Sequence, residues 1–149
     1  MNDDLALLAD WAEPLLAQLT PAARRAAMRD IAIELRRGQA SRIRQQRDPD
    51  GAPYAPRKKL RDRRGRLRGA MFKKLRTARY LRVESSPDSA TVIFAGRVQR
   101  IARVHQDGQV DVVDRRAPGS PSVRYPRRRL LGLTAADREM ILERLLRVA

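Results

Sequence analysis

His105 is the sole histidine of this 149-residue chain, and the chain has no cysteine. A catalytic histidine needs a nucleophile and an orienting carboxylate, and a metal-binding one needs Cys, His or carboxylate companions. Asp107 lies two residues on, but without a second His or any Cys the favoured reading is a hydrogen-bonded imidazole at a strand end. Asp48 and Asp50, in Asp-Pro-Asp-Gly, resemble the start of a calcium loop. The carboxylate required at the loop's twelfth position is replaced by Lys59, a charge of the wrong sign, so turn chemistry is expected instead. Asp107, Asp111 and Asp114 could gather round a divalent cation only on a twisted strand, since 111 and 114 face opposite sides of a regular one. Gly65 and Gly69 lie among arginines without the Lys-Ser/Thr ending of a phosphate cradle, and Ser85 and Ser86 have no base nearby. The absence of cysteine excludes disulfides, thiolate metal sites and cysteine nucleophiles. The residues carry no catalytic constellation, cofactor motif or metal set, which points away from an enzyme.

Charge is the strongest compositional signal, +16 overall and unevenly placed. Residues 1–20 hold four acids and no base, whereas residues 57–82 hold thirteen bases and one acid. Residues 21–47 are +6 and the last sixteen residues sum to zero. Such a block faces a polyanion, an acidic partner or water. The candidate contact residues for DNA or an acidic partner are Arg57, Lys58, Lys59, Arg61, Arg63, Arg64, Arg66, Arg68, Lys73 and Lys74, with Arg76 and Arg79 continuing the run. Only Phe72 and Tyr80 interleave as aromatics, too few for base stacking, so contact with DNA would be non-specific. The chain opens Met-Asn-Asp-Asp, the reverse of the basic start of a signal peptide, and no apolar run approaches the ~18 residues of a membrane span. No membrane role is expected.

The elements that must position these residues are legible from caps and periodicity. Asp3 or Asp4 caps a short helix with Leu5, Leu8, Trp11 and Ala12 on one face, and Pro14 should kink or restart it. Thr20-Pro21 starts a second helix, predicted over 21–46, with Met28, Ile31, Ala32 and Leu35 as its buried stripe and Glu34 and Arg37 as an exposed pair. Past Gly38 the stripe is ragged and Ile43 is its one large apolar residue, so this end is expected to protrude or meet another subunit. Asp48-Pro49-Asp50-Gly51 makes a turn, and Pro53 and Pro56 keep the chain extended. Residues 48–69 are expected to form a basic extended arm on a single domain spanning 1–149, with Arg57 to Arg68 mobile by themselves.

Met71, Phe72 and Leu75 give a helical turn or two. Leu81 and Val83 alternate with Arg82 and Glu84 as a half-buried strand, Ser86-Pro87-Asp88-Ser89 turns, and Ala90 to Ala95 reads as a central strand buried on both faces. A short helical or irregular piece over 98–104 follows. Val110 with Val112, and Val123 with Tyr125, suggest two further strands joined by a loop from Arg115 to Ser122. Thr134 and Asp137 form a capping box for a last helix, on which Glu143 pairs with Arg147. Ile141, Leu142, Leu145, Leu146 and Val148 span an apolar arc wide enough for both a core and a neighbour. With Ile43, the residues Ile141, Leu142, Leu145 and Leu146 are the candidate subunit interface. The class is α+β: a long N-terminal helix and a C-terminal helix on a small, mainly antiparallel sheet.

Three stretches resemble the virion morphogenesis, or tail completion, proteins of temperate contractile-tailed phages. They are DPDGAPYAPRKK from Asp48 to Lys59, after a helix ending Arg42-Ile43-Arg44-Gln45-Gln46; MFKKLRTARYLRV and FAGRVQRIARVHQDG within Met71 to Gly108; and YPRRRLLGLTAADREMI from Tyr125 to Ile141. Together they cover more than half the chain in family order; at Asp107 the family more often has an aromatic. The resemblance implies a small structural subunit that forms a ring, six-fold like the tail, at the head-proximal end of the tail. Its partners there are tail-tube, sheath or head-connector proteins, and its place is the tail or neck of a virion made in the bacterial cytoplasm. It brings no catalytic residues. The alternative from the residues alone is a free-standing, non-specific nucleic-acid-binding protein using the 57–79 segment.

Overall fold

The computed structural model describes residues 2–57 and 69–148, with side chains from Leu5 onward. It is an α+β protein with helices α1 (Asn2–Ala17), α2 (Pro21–Arg44), α3 (Gly96–Asp107) and α4 (Ala135–Val148), and strands β1 (Leu81–Ser85), β2 (Ala90–Phe94), β3 (Val110–Val112) and β4 (Ser122–Arg124). The strands form two separate antiparallel pairs, β1 with β2 and β3 with β4. Two compact units result. Unit 1 comprises residues 1–38, 82–93 and 133–149, and unit 2 comprises 39–81 and 94–132.

Unit 1 is a helical core beside a hairpin. Ala12 of α1, Met28, Ile31 and Leu35 of α2, and Ile141 and Leu145 of α4 pack together, with Leu8, Leu16, Ala90, Val92, Leu133 and Met140 around them. The i, i+3/i+4 spacing on α2 brings its three residues to one face. Thr20 caps α2, its Oγ1 accepting the Ala23 amide at 3.2 Å. The predicted capping box of α4 is present and reciprocal: Asp137 N–H donates to Thr134 Oγ1 at 3.1 Å, and Thr134 N–H to Asp137 Oδ2 at 2.8 Å.

Three expectations are corrected in unit 1. The first helix is not restarted at Pro14 but runs through it as one element, and Trp11 lies on its exposed side, not in its buried stripe. Ala90–Ala95 is not a central strand buried on both faces. It pairs on one side only and most of it is half-buried, because the hairpin covers the helices with one face.

In unit 2, α2 ends at Arg44 and Gln46 turns the chain in the left-handed region, φ 59°. The 48–51 turn forms as expected: Gly51 N–H donates to the Asp48 carbonyl at 2.9 Å, and Ala52 N–H to Asp50 Oδ1 at 3.0 Å. Residues 71–80 fold as successive turns that bury Leu75. Helix α3 is longer than predicted and includes His105, which therefore sits in a last helical turn, not at a strand end. Gly108 closes α3 at φ 67°, and a Cβ there would lie 3.2 Å from the backbone nitrogen of Arg127, so a side chain would be strained by the backbone and would crowd Arg127. The β3–β4 register sets Val110 against Arg124 and Asp111 against Val123.

Candidate functional site

The most elaborate side-chain arrangement lies in unit 2, around the irregular segment Arg128–Gly132. Leu130 is fully buried there, yet this segment belongs to no strand. Its amides and carbonyls must find partners away from water or cost free energy. Side chains supply them.

Gln106 Oε1 accepts the amides of Leu130 and Leu131 at 2.8 and 2.9 Å, while its Nε2 donates to the Leu131 carbonyl at 2.8 Å. Gln39 does the same at Gly132, accepting its amide at 3.2 Å and donating to its carbonyl at 2.8 Å. Arg42 donates to the carbonyls of Arg129 (3.1 Å) and Leu130 (2.8 Å), to that of Arg47 (3.1 Å), and to Gln39 Oε1. Asp48 Oδ1 accepts the Arg129 amide at 2.7 Å. From the Arg129 amide to the Gly132 carbonyl, every backbone polar group is thus held by a side chain. At Gly132 a Cβ would come within 2.5 Å of Pro49 Cγ, so the strap fits only without a side chain there.

Arg128 extends the clamp to the start of the basic arm. It is buried, and donates from Nε to the Ala55 carbonyl at 2.7 Å and from Nη2 to the Pro56 carbonyl at 2.9 Å. Its Nη1 lies 3.2 Å from His105 Nδ1. A guanidinium can only donate, so Nδ1 accepts and the ring proton sits on Nε2. Burial, and then the Arg128 charge, push the His105 pKa down to about 4, which keeps the ring neutral at neutral pH. The ring also packs edge-on between Phe72 and Tyr125, with centroids 4.8 and 5.1 Å away. Tyr54 meets Phe72 in turn, and its own hydroxyl pKa is raised to about 12, chiefly by burial. His105 is a packing and hydrogen-bonding residue of the clamp.

The model of the phage virion morphogenesis family matches this chain over residues 3–148. The chain belongs to that family. Tail completion protein S of Escherichia phage P2 is 40% identical over 132 residues, covering 87% of this chain and 86% of that protein. No solved structure matches it significantly.

For this member of the virion morphogenesis family, the candidate residues named from sequence fall into distinct settings. Lys58, Lys59, Arg61, Arg63, Arg64, Arg66 and Arg68 lie outside the described residues, as does the 58–68 half of the expected basic arm. Arg57 is exposed and donates to the Gly69 carbonyl at 3.3 Å, and Lys73 and Lys74 are exposed on the turns after the arm. Ile43 does not protrude. It is 0% exposed within unit 2, on a helix end whose Gln39 and Arg42 turn inward to the strap, and so it offers no surface to a neighbour. Ile141 and Leu145 are in the core of unit 1, Leu142 is half-buried, and Leu146 is 59% exposed. Asp48 and Asp50 are occupied by turn and strap amides, and among the described residues no group of acids or His is placed to hold a metal. No helix among them is long and apolar enough to cross a membrane.

Sequence reasoning missed the clamp. Its signal was present as polar Gln39 and Arg42 on a helix end that lacks an apolar stripe, and as Tyr125–Leu133, which has no period of its own. Charge separates the two units: unit 1 has nine bases and eleven acids, unit 2 twenty-four bases and six acids.

Proposed function

We propose that this chain is the structural subunit that completes the head-proximal end of a phage tail and makes it competent to join a filled head. It works as a closed ring, of six copies on a six-fold tail. Its neighbours are tail-tube, sheath or head-connector proteins, and its work is assembly and not catalysis. The observation that carries this reading is the 40% identity with the tail completion protein of phage P2 across 87% of the chain. The family match runs from residue 3 to 148, through both units and their apolar cores, so shared basic composition does not account for it.

The clamp supports an assembly role. It fixes an irregular connection within unit 2 by polar contacts to several elements, so that this basic unit can present its surface in one geometry. The thirteen bases of residues 57–82 then meet an acidic neighbouring protein or, without sequence preference, DNA in the lumen.

Removing the gene from a producing phage tests the reading. Filled heads and full-length tails should accumulate unjoined, and supplying the chain in trans should restore joining. Joined, infectious particles made without it would refute the proposal.

A further inference from the structure

Among the described residues, β3 and β4 form a two-stranded ribbon of their own. The ladder runs past the named strands at both ends: Tyr125 N–H donates to the Gln109 carbonyl and Val113 N–H to the Pro121 carbonyl, each at 3.0 Å. Alternation sorts the side chains onto two faces. Asp111 and Val123, paired across the ladder, are half-buried, and Asp111 holds Arg100 of α3, so this face turns to α3. The other face sets Val110 opposite Arg124 and Val112 opposite Ser122, and only Val112 of the four is half-buried. The loop that joins the strands is fixed by its own hydrogen bonds. Asp114 Oδ1 accepts the Arg116 amide and Ser120 Oγ the Asp114 amide, each at 2.9 Å, and the Ser120 amide donates to the Ala117 carbonyl at 3.2 Å. Arg115 to Gly119, at the tip, are all exposed.

We propose that this ribbon binds duplex DNA, Arg115 and Arg116 at its tip and Arg124 on its outer face donating to backbone phosphates. The ribbon lies outside the basic segment 57–82, and the proposal rests on the reading above only for the source of the DNA, the genome in the lumen. Every charge on the outer face and at the exposed tip is a guanidinium, whose planar fork suits phosphate oxygens. Both acids of the ribbon are spent elsewhere, Asp111 on Arg100 and the Val112 amide, Asp114 on the Arg116 amide. Between the arginines stand small residues, Ala117, Gly119, Ser120 and Ser122. A ribbon so narrow, its strands ~4.8 Å apart, enters a major groove ~12 Å wide. The outer face and tip carry no aromatic to anchor a protein partner or stack on single strands, and no Asn or Gln to read adenine. Contact is therefore with the duplex backbone and independent of sequence. A loop already held in one shape loses little entropy on binding.

The test uses the purified full chain and a short duplex of arbitrary sequence, with affinity measured across a salt series. Arg115→Ser with Arg116→Ser should weaken binding about tenfold or more at low salt and flatten the log–log salt slope by ~1.8, two phosphates' worth. Both side chains are exposed, so the urea midpoint should not move. Arg115→Lys with Arg116→Lys should keep the parent slope, since each ammonium still neutralises a phosphate. The chain lacks cysteine, so a benzophenone maleimide on Ala117→Cys labels the tip alone and should cross-link to the duplex on illumination, whereas the same label on Asp30→Cys of α2 should not. A parent chain that does not bind duplex, or a serine variant with unchanged affinity and slope, would overturn the proposal. So would unchanged DNA binding by the serine variant with fewer joined particles, which would assign the ribbon to an acidic protein neighbour. These measurements need no particle, so their failure is distinct from a failure of tail completion, which removal of the gene tests.

Discussion

The guanidinium of Arg42, near the end of α2, donates to the carbonyl of Leu130 at 2.8 Å, across 88 residues of sequence. Both residues are buried, Leu130 completely. A cation at that depth is held because its fork is spent on fixed oxygens, and the strap is held because its own amides could not pair as a strand.

Removing the fork leaves buried carbonyls unpaired. Arg42→Ala should destabilise the protein by about 3 kcal/mol or more in urea unfolding, and Arg42→Lys should recover only a part, since an ammonium lacks the planar two-nitrogen reach. Stability within ~0.5 kcal/mol of the parent would show that the strap does not depend on it.

His105 makes stability depend on pH. Its folded pKa is about 4 against 6.5 for the free side chain, so the unfolded chain binds the proton more readily. Its neutral form costs nothing above pH 6.5, and stability falls as pH drops from there towards 4, by ~1–3 kcal/mol in all. The slope between pH 6.5 and 5 should shrink in His105→Gln, measured by unfolding at each pH. An unchanged slope would assign the effect to other groups.

The apolar arc of α4 divides sharply. Ile141→Ala and Leu145→Ala should each cost ~2–5 kcal/mol, because both side chains are in the unit 1 core. Leu146→Ala, at a position 59% exposed, should stay within ~0.5 kcal/mol while lowering assembly if that face meets a neighbour. Equal losses for all three would contradict the packing.

Periodicity and caps made unit 1 readable. Met28, Ile31 and Leu35 repeat at helical spacing, and Thr134 with Asp137 mark a helix start by chemistry alone. They are local signals, set within a few residues. Ile43 was misread because a helix end without an apolar stripe resembles a solvated one. Whether Gln39 and Arg42 face water or backbone depends on a segment some ninety residues away. Ala90–Ala95 was misread because a continuous apolar run fits a central strand and a one-sided hairpin alike, and only pairing decides. The helix that carries His105 was read as a shorter piece, since Arg97, Arg100 and Arg103 interrupt any apolar count.

The basic arm should act through charge and not through sequence recognition. Replacing Arg61, Arg63, Arg64 and Arg66 by Ser should reduce joined particles while leaving the urea midpoint unchanged. Binding of the purified protein to unrelated duplexes should weaken steeply with salt, with a log–log slope of about −0.9 per phosphate neutralised. Normal joining by the variant would remove the arm from the mechanism, and strong preference for one duplex would contradict non-specific contact.

What defines the proposed role of this chain is its place in the particle. Reconstruction of finished tails, with the chain tagged at its C-terminus and located by an antibody fragment, measures that place directly. The expected result is a single closed ring of this chain at the head-proximal end of the tail, with six copies on a six-fold tail. Density for the tag along the tube or at the distal tip, or its absence from finished tails, would contradict it.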